Sequence, residues 1–228
     1  MRQLNQNDTH IVVGDSTIIP SPVVRSLGVL FDSEVSMREH VARTARTCFF
    51  HLRRLRAVRC QLGGEVTAQL IAALVLTRID AILAGLPAVT LRPFQKVINA
   101  SVRVALDLKP RDHVSTEMLK ELHWLPLQQR IQYKLCWLTY LSVNGRAPDY
   151  LCNLVHNVSD LPHGYSLRST KHGDLSVPAS RLRCGERAFS IAGPKAFNRL
   201  PAELKLTTDS DLFKRKLKTF LFKQAFEV

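Results

Sequence analysis

Apolar stripes with helical spacing run through the middle of the chain and constrain its fold more than any other feature. In the first stripe, the apolar residues recur at intervals of three or four. They are Val41, Ala45, Cys48, Phe49, Leu52 and Leu55. Similar stripes follow as far as residue 155, and each leaves an apolar face that must be covered. The pattern therefore predicts one α-helical bundle over residues 35–155.

Capping and helix-breaking residues predict where these helices begin and end. Ser36 and Glu39 form a capping-box pattern at the start of the first helix, and Gly63-Gly64 ends it. The second helix is expected to run to Gly85. Further helices are predicted from about Pro93, within "STEMLKELHWLP", from Pro126 to Gly145 and within "APDYLCNLV".

Residues 1–34 have the character of a short β element. "THIVV" and "STIIP" flank Gly14-Asp15, and a two-residue turn with glycine first predicts a type II′ hairpin. A third strand is expected in "VVRSLGVLF". The predicted fold class is thus mainly α, with a helical bundle preceded by a β-hairpin or three-strand element.

Residues 156–228 form a predicted third part, an irregular basic C-terminal extension. Periodicity is lost from residue 156 to 185, as in a linker or a surface loop. From about Ser210 a final amphipathic helix sets apolar residues against basic ones. The basic residues are Lys214, Arg215, Lys216 and Lys218. This helix has two interpretations, a docking helix with a solvated basic face or a contact with nucleic acid.

The charge of the chain points to an anionic partner. Its 32 Lys and Arg against 19 Asp and Glu give a net charge of +13. Nucleic acid is the commonest partner of so basic a protein, and a membrane surface is the alternative. The longest apolar run, residues 70–76, is too short to span a bilayer, and the first ten residues are polar rather than a signal peptide. The sequence therefore predicts nucleic acid and no membrane.

The first predicted helix carries arginines on the side opposite its apolar stripe. They are Arg43, Arg46, Arg53, Arg54, Arg56 and Arg59. No acidic residue occurs between Glu39 and Glu65, so neighbouring ion pairs cannot neutralise them. The arginines are either a solvated helix face or a contact with a polyanion, and arginine is well suited to phosphate.

The sequence predicts no catalytic residue, no metal and no other cofactor. The five cysteines are odd in number and widely spaced, which indicates a reducing compartment, cytoplasm or nucleus, and buried helix thiols. Cys48 with His51 lacks two of the ligands that zinc requires. Asp32 with Glu34 lacks a third carboxylate, and these acids are expected to belong to a turn and a helix entry.

Five segments in order resemble the C-terminal third of the reverse transcriptase of jockey-like non-LTR retrotransposons, the long interspersed elements. They are "RSLGVLFDSEVSMREHV", "ARTCFFHLRRLRAVR", "KELHWLPLQQRIQYKL", "GRAPDYLCNLV" and "RAFSIAGPKAFNRLPAELK" with "FKRKLKTFLF". The resemblance covers about residues 11–222. It implies a palm end around the primer grip, then a thumb from Ser36 whose basic helices hold the template-primer duplex by its phosphates. A C-terminal extension that binds the element's RNA or the target DNA is implied to follow.

The resemblance transfers no catalytic role, because the Phe/Tyr-Ala-Asp-Asp motif of the palm and its earlier metal-binding aspartate are absent from the sequence. The sequence thus predicts a truncated or degenerate reverse-transcriptase fragment, not an enzyme on its own, that binds RNA or RNA/DNA duplex. A separate polymerase chain is a further candidate partner. The alternatives are a host-adopted helical module that binds protein and a non-functional pseudogene product.

Overall fold

A computed structural model describes residues 11–19, 21–79, 83–109, 111–114, 116–160, 173–182 and 184–226. The chain is mainly α-helical, with two small β-hairpins before the helices, which confirms the predicted fold class. Residues 1–10 of the predicted β element and residues 161–172 of the predicted linker lie outside the described residues. The helices are α1 (Arg38–Leu74), α2 (Ala88–Ala105), α3 (Thr116–Glu121), α4 (Leu127–Val143), α5 (Asp149–Cys152), α6 (Phe189–Asn198), α7 (Ala202–Lys205) and α8 (Ser210–Phe226).

The first hairpin forms where the sequence predicts it. Strands β1 (Ile11–Val13) and β2 (Ser16–Ile18) pair antiparallel, with Val13 opposite Ser16. Gly14 has a φ of 60°, the left-handed value that the first turn residue of a type II′ hairpin requires. Every residue of both strands is exposed, so this hairpin adds nothing to the core.

The predicted third strand is instead a second hairpin. Strands β3 (Val23–Ser26) and β4 (Val29–Asp32) pair around Leu27 and Gly28. Both turn residues have positive φ, 48° and 86°, as in a type I′ turn. The single-strand prediction was wrong because leucine rarely adopts this backbone, so Leu-Gly does not stand out as a turn. The Leu27 side chain is fully exposed at this turn.

The capping box predicted at the start of α1 does not form. The helix begins at Arg38, preceded by Met37 in the left-handed region. Ser36 donates from its backbone nitrogen and from Oγ to the carboxylate of Asp32, over 2.6 Å and 2.7 Å. Desolvation raises the pKa of Asp32, but these hydrogen bonds outweigh it and hold the pKa below its ordinary value. Asp32 therefore joins β4 to the entry of α1.

Helix α1 reverses direction at Gly63. This residue has φ 74° and ψ 170°, a backbone that glycine adopts readily and that interrupts the helix. Cys48 Sγ lies 4.0 Å from the carbonyl oxygen of Val75. In a straight helix the two residues would be roughly 40 Å apart at about 1.5 Å per residue. The glycine break predicted from the sequence is thus the apex of a helical hairpin.

Within the described residues, one helical stretch, Arg38–Arg78, is long and apolar enough to cross a bilayer, with a mean hydropathy of 1.3 over its most apolar window. Length and composition are weak evidence, since core helices of soluble proteins meet the same criteria. The stretch contains the reversal at Gly63, and its second half contributes Ile71, Val75 and Leu76 to the core.

The first core lies between α1, α2 and the start of α4. Its fully buried side chains include Ile71, Phe94 and Ile98. Helix α2 begins at Ala88 rather than near Pro93, so that prediction was wrong. The carbonyl of Pro87 accepts hydrogen bonds from the backbone of Thr90 and Leu91 and starts the helix five residues earlier.

A second core lies on the other side of α4 and includes the C-terminal helices. Tyr140 and Phe213 are fully buried there and stack with ring centroids 3.9 Å apart. The Tyr140 hydroxyl donates to the carbonyl of Thr208 over 2.7 Å and ties α4 to the segment before α8. Val155 and Leu175 belong to this core as well. The boundary predicted between residues 155 and 156 thus lies within one apolar core.

Candidate nucleic-acid interface

Five of the six predicted arginines on α1 form an exposed surface, which we call the arginine face. Its members are Arg43, Arg46, Arg53, Arg54 and Arg56. They span fourteen residues of helix, from Arg43 to Arg56, a length of roughly 20 Å at about 1.5 Å per residue. Among the described residues, the recorded ion pairs involve none of the five. The face therefore presents a local excess of positive charge to solvent.

Two members of the arginine face are held by neighbours on α1 itself. Arg46 donates from Nε to the carbonyl of Ala42 over 3.4 Å, and the Arg54 guanidinium lies 5.6 Å from the centre of the Phe50 ring. Phe50 is itself 47% exposed, so this cation–π contact lies at the surface. Such local contacts leave most guanidinium donors of the two residues available to a ligand.

Arg59 does not belong to the arginine face, and its predicted place there was wrong. Its guanidinium donates from Nε to the carbonyl of Val104 over 2.7 Å and from a terminal nitrogen to that of Ala105 over 3.0 Å. It also pairs with Asp107 at 3.1 Å. Arg59 therefore closes the C-terminal end of α2 and holds it against α1.

We expect Arg59→Met to lower the free energy of unfolding by about 1.5 to 3 kcal/mol, because two carbonyls lose a charged donor. The ion pair adds little to this loss, since the Asp107 side chain is 73% exposed. Urea denaturation followed by circular dichroism measures the difference. The matched control is Arg56→Met, an exposed position where we expect a change within about 0.5 kcal/mol. Equal losses in the two variants would contradict this role for Arg59.

A small cavity that we call the basic pocket lies where the second hairpin meets α1. Its volume is about 150 Å³. Its basic lining residues are Arg25 from β3, His40 and Arg43 from α1, and Arg78 from the 3₁₀ turn Leu76–Arg78. Thr44 and Thr47 line it too, and no described lining residue is acidic. Of the predicted site residues, only Arg43 lies in this pocket.

Hydrogen bonds to the protein fix two of the basic side chains at the pocket. Arg78 donates from Nε to the carbonyl of Leu74 over 2.9 Å, and a terminal nitrogen lies 3.3 Å from Nε2 of His51. The backbone nitrogen of Leu30 donates to Nδ1 of His40 over 3.5 Å, which in the neutral ring places the proton on Nε2. These contacts orient the two side chains before any ligand arrives.

The predicted basic residues of α8 lie on a different part of the molecule. Lys214 is engaged locally, with Nζ 4.5 Å from the centre of the Trp137 ring and 3.5 Å from a carboxylate oxygen of Asp211. Lys218 is exposed. Arg215 and Lys216 line a groove of about 520 Å³ between α7 and α8. Helix α8 packs mainly on α4 and α7, whereas α1 packs mainly on α2. The basic residues of α8 and the arginine face therefore lie on different helix pairs.

The aromatic side chains and thiols are mostly structural. Trp124 and Tyr140 are buried, whereas Tyr150 is 69% exposed. Burial raises the pKa of the Cys48 thiol to about 11 and that of Cys136 to about 12, so both stay protonated at neutral pH. Within the described ranges, no three His, Cys, Asp or Glu side chains come together in a way that could hold a metal ion.

A scan against protein-family models found no match to this chain, and searches of curated proteins and of solved structures found none either. Function is therefore inferred from the residues of the chain and from their arrangement.

Proposed function

We propose that this chain corresponds to the palm end, thumb and C-terminal extension of a jockey-like non-LTR retrotransposon reverse transcriptase, and that it binds RNA or RNA/DNA duplex by its phosphates. The order of the five sequence segments supports the first part of this proposal. The observation that carries the proposed binding is the arginine face, five exposed guanidinium groups on one helix. Arginine binds phosphate oxygens through paired N–H donors, and phosphate contacts supply most of the affinity of sequence-independent binding.

The junction between β4 and α1 supports this proposal. Asp32 and Ser36 fix the short connection between the strand and the helix, so the arginine face keeps one orientation to the second hairpin. Leu30 of β4 is buried beside α1, and Val29 and Phe31 pack against the first core. A duplex along α1 would therefore meet a surface that is already arranged, which reduces the entropy cost of binding.

The proposed contacts are to the sugar-phosphate backbone, so sequence readout is expected to be weak. The proposed partners are the element's own RNA and the target DNA, and a separate polymerase chain is a further candidate partner. The proposal assigns no catalytic role to any residue of this chain.

We expect binding to an RNA/DNA hybrid to weaken steeply with salt. If all five arginines contact phosphates, the slope of log K against log salt concentration is about −4.5, and affinity falls roughly 500-fold between about 50 and 200 mM salt. Fluorescence anisotropy with a dye-labelled hybrid, repeated over this salt range, measures the slope.

A second hybrid of unrelated sequence serves as the control in this experiment, and we expect the same affinity and slope for it. A slope near zero, or a strong preference for one of the two sequences, would contradict binding led by phosphates.

The groove between α7 and α8 favours a second candidate function, a helical module that binds an acidic protein. Its apolar lining includes Leu204, Leu212 and Phe220, and its basic rim includes Arg215 and Lys216. Such a surface suits an acidic peptide with apolar anchor residues. An acidic amphipathic peptide that binds more tightly than any nucleic acid tested, and equally well after changes to the arginine face, would favour this function over the first.

A further inference from the structure

The basic pocket differs from the arginine face because it is a concave site built from three separate parts of the chain. Arg25 comes from β3, Arg43 from α1, and Arg78 from the 3₁₀ turn after the reversal at Gly63. Three like charges around one small cavity repel one another, and an anion within it would relieve that repulsion. The pocket is also more enclosed than the larger groove between α7 and α8.

The basic pocket is large enough for a phosphate group and offers polar atoms to bind it. Its volume is about 150 Å³, enough for several water molecules or a small anion. A phosphate group, with one phosphorus and four oxygen atoms, fits such a space. The hydroxyls of Thr44 and Thr47 add polar atoms to the wall, and the Thr47 hydroxyl already donates to the carbonyl of Arg43.

A phosphate at the end of a strand suits this pocket better than a phosphate within the strand. A terminal phosphate monoester carries a charge of about −1.5 to −2 at neutral pH and offers three terminal oxygens. An internal phosphodiester carries one negative charge, and the nucleic-acid strand continues from it on both sides. Arg78, already fixed by Leu74 and His51, keeps up to three of its five N–H donors for a ligand.

We propose that the basic pocket binds the terminal phosphate of a nucleic-acid strand, so that the chain recognises a strand end as well as a duplex. This inference rests on the proposed function, because the arginine face supplies the affinity for the remainder of the duplex. Arg43 belongs both to the arginine face and to the pocket, so a duplex along α1 can place a strand end there.

The test compares hairpin duplexes that differ only at their single open end. One ends in a 5′-phosphate, one in a 3′-phosphate and one in hydroxyls, and the dye lies in the closed loop. We expect one of the two phosphorylated duplexes to bind about tenfold more tightly at about 0.1 M salt, the gain from one additional counterion released. Fluorescence anisotropy of the full chain with each duplex gives the three dissociation constants.

Two variants locate the effect. Arg25→Ala, at an exposed position on β3, and Arg78→Ala are expected to bring the ratio of dissociation constants close to one. The matched control, Arg53→Ala, lies on the arginine face outside the pocket and should weaken all three duplexes alike. A preference that survives in both pocket variants would place the terminal phosphate elsewhere and overturn the inference.

The outcomes distinguish this inference from the proposed function. Equal, salt-sensitive binding of the three duplexes would overturn the strand-end inference and leave phosphate-led binding intact. Failure to bind any duplex would overturn both.

Discussion

Replacing Phe213 with alanine is expected to lower the free energy of unfolding by about 3 to 5 kcal/mol, the usual cost of truncating a buried aromatic side chain. Phe213 is fully buried, and its ring stacks on Tyr140 and lies 6.2 Å from Trp137 and 6.3 Å from Phe197, measured between ring centroids. The substitution removes the aromatic part of the apolar contact between α8 and α4, to which Leu217 and Leu221 also belong. Urea denaturation followed by circular dichroism measures the loss.

Two further variants establish that the loss comes from this aromatic cluster. Phe213→Leu keeps most of the side-chain volume and should cost less than Phe213→Ala. Phe50→Ala removes the same atoms from a ring that is 47% exposed, and we expect at most a small effect. A loss below about 1 kcal/mol for Phe213→Ala would mean that α8 is not anchored through this residue, since the usual cost is several times larger.

The parts of the fold that the sequence predicts correctly are those determined by neighbouring residues. The turn at Gly14-Asp15 and the break at Gly63 both depend on glycine, whose backbone freedom acts locally. The second hairpin was missed because Leu27 adopts a conformation that its side chain disfavours. At Ser36 one local interaction replaced another, because the hydroxyl donates to the Asp32 carboxylate four residues earlier instead of capping α1.

The position of Arg59 could have been predicted from helical spacing alone. It follows Leu55 by four residues and Leu52 by seven, so it lies on the buried side of α1 rather than with the other arginines. By contrast, no local pattern connects Arg25 with Arg78. They lie 53 positions apart in the sequence, and they share a pocket because α1 reverses and the second hairpin packs beside it. Sequence patterns therefore identified the arginine face but not the basic pocket.

The double substitution Arg53→Glu with Arg54→Glu is expected to weaken binding of an RNA/DNA hybrid by roughly 50- to 100-fold at about 0.1 M salt, because two phosphate contacts are lost. The slope of log K against log salt concentration should become shallower by about two. The loss should be the same for unrelated sequences, since these contacts read no bases. Both positions are exposed and contribute no buried side chain to the core, so the variant should fold.

The matched control for this double variant is Arg92→Glu with Lys96→Glu on the exposed side of α2. It lowers the net charge of the chain by the same amount, so it isolates the effect of position from that of total charge. If the arginine face is the interface, the α1 variant loses most of its affinity and the α2 variant loses little. Equal losses would instead show that the duplex responds only to the overall charge of the protein. The arginines of α1 would then be a solvated helix face, the other interpretation that the sequence allows.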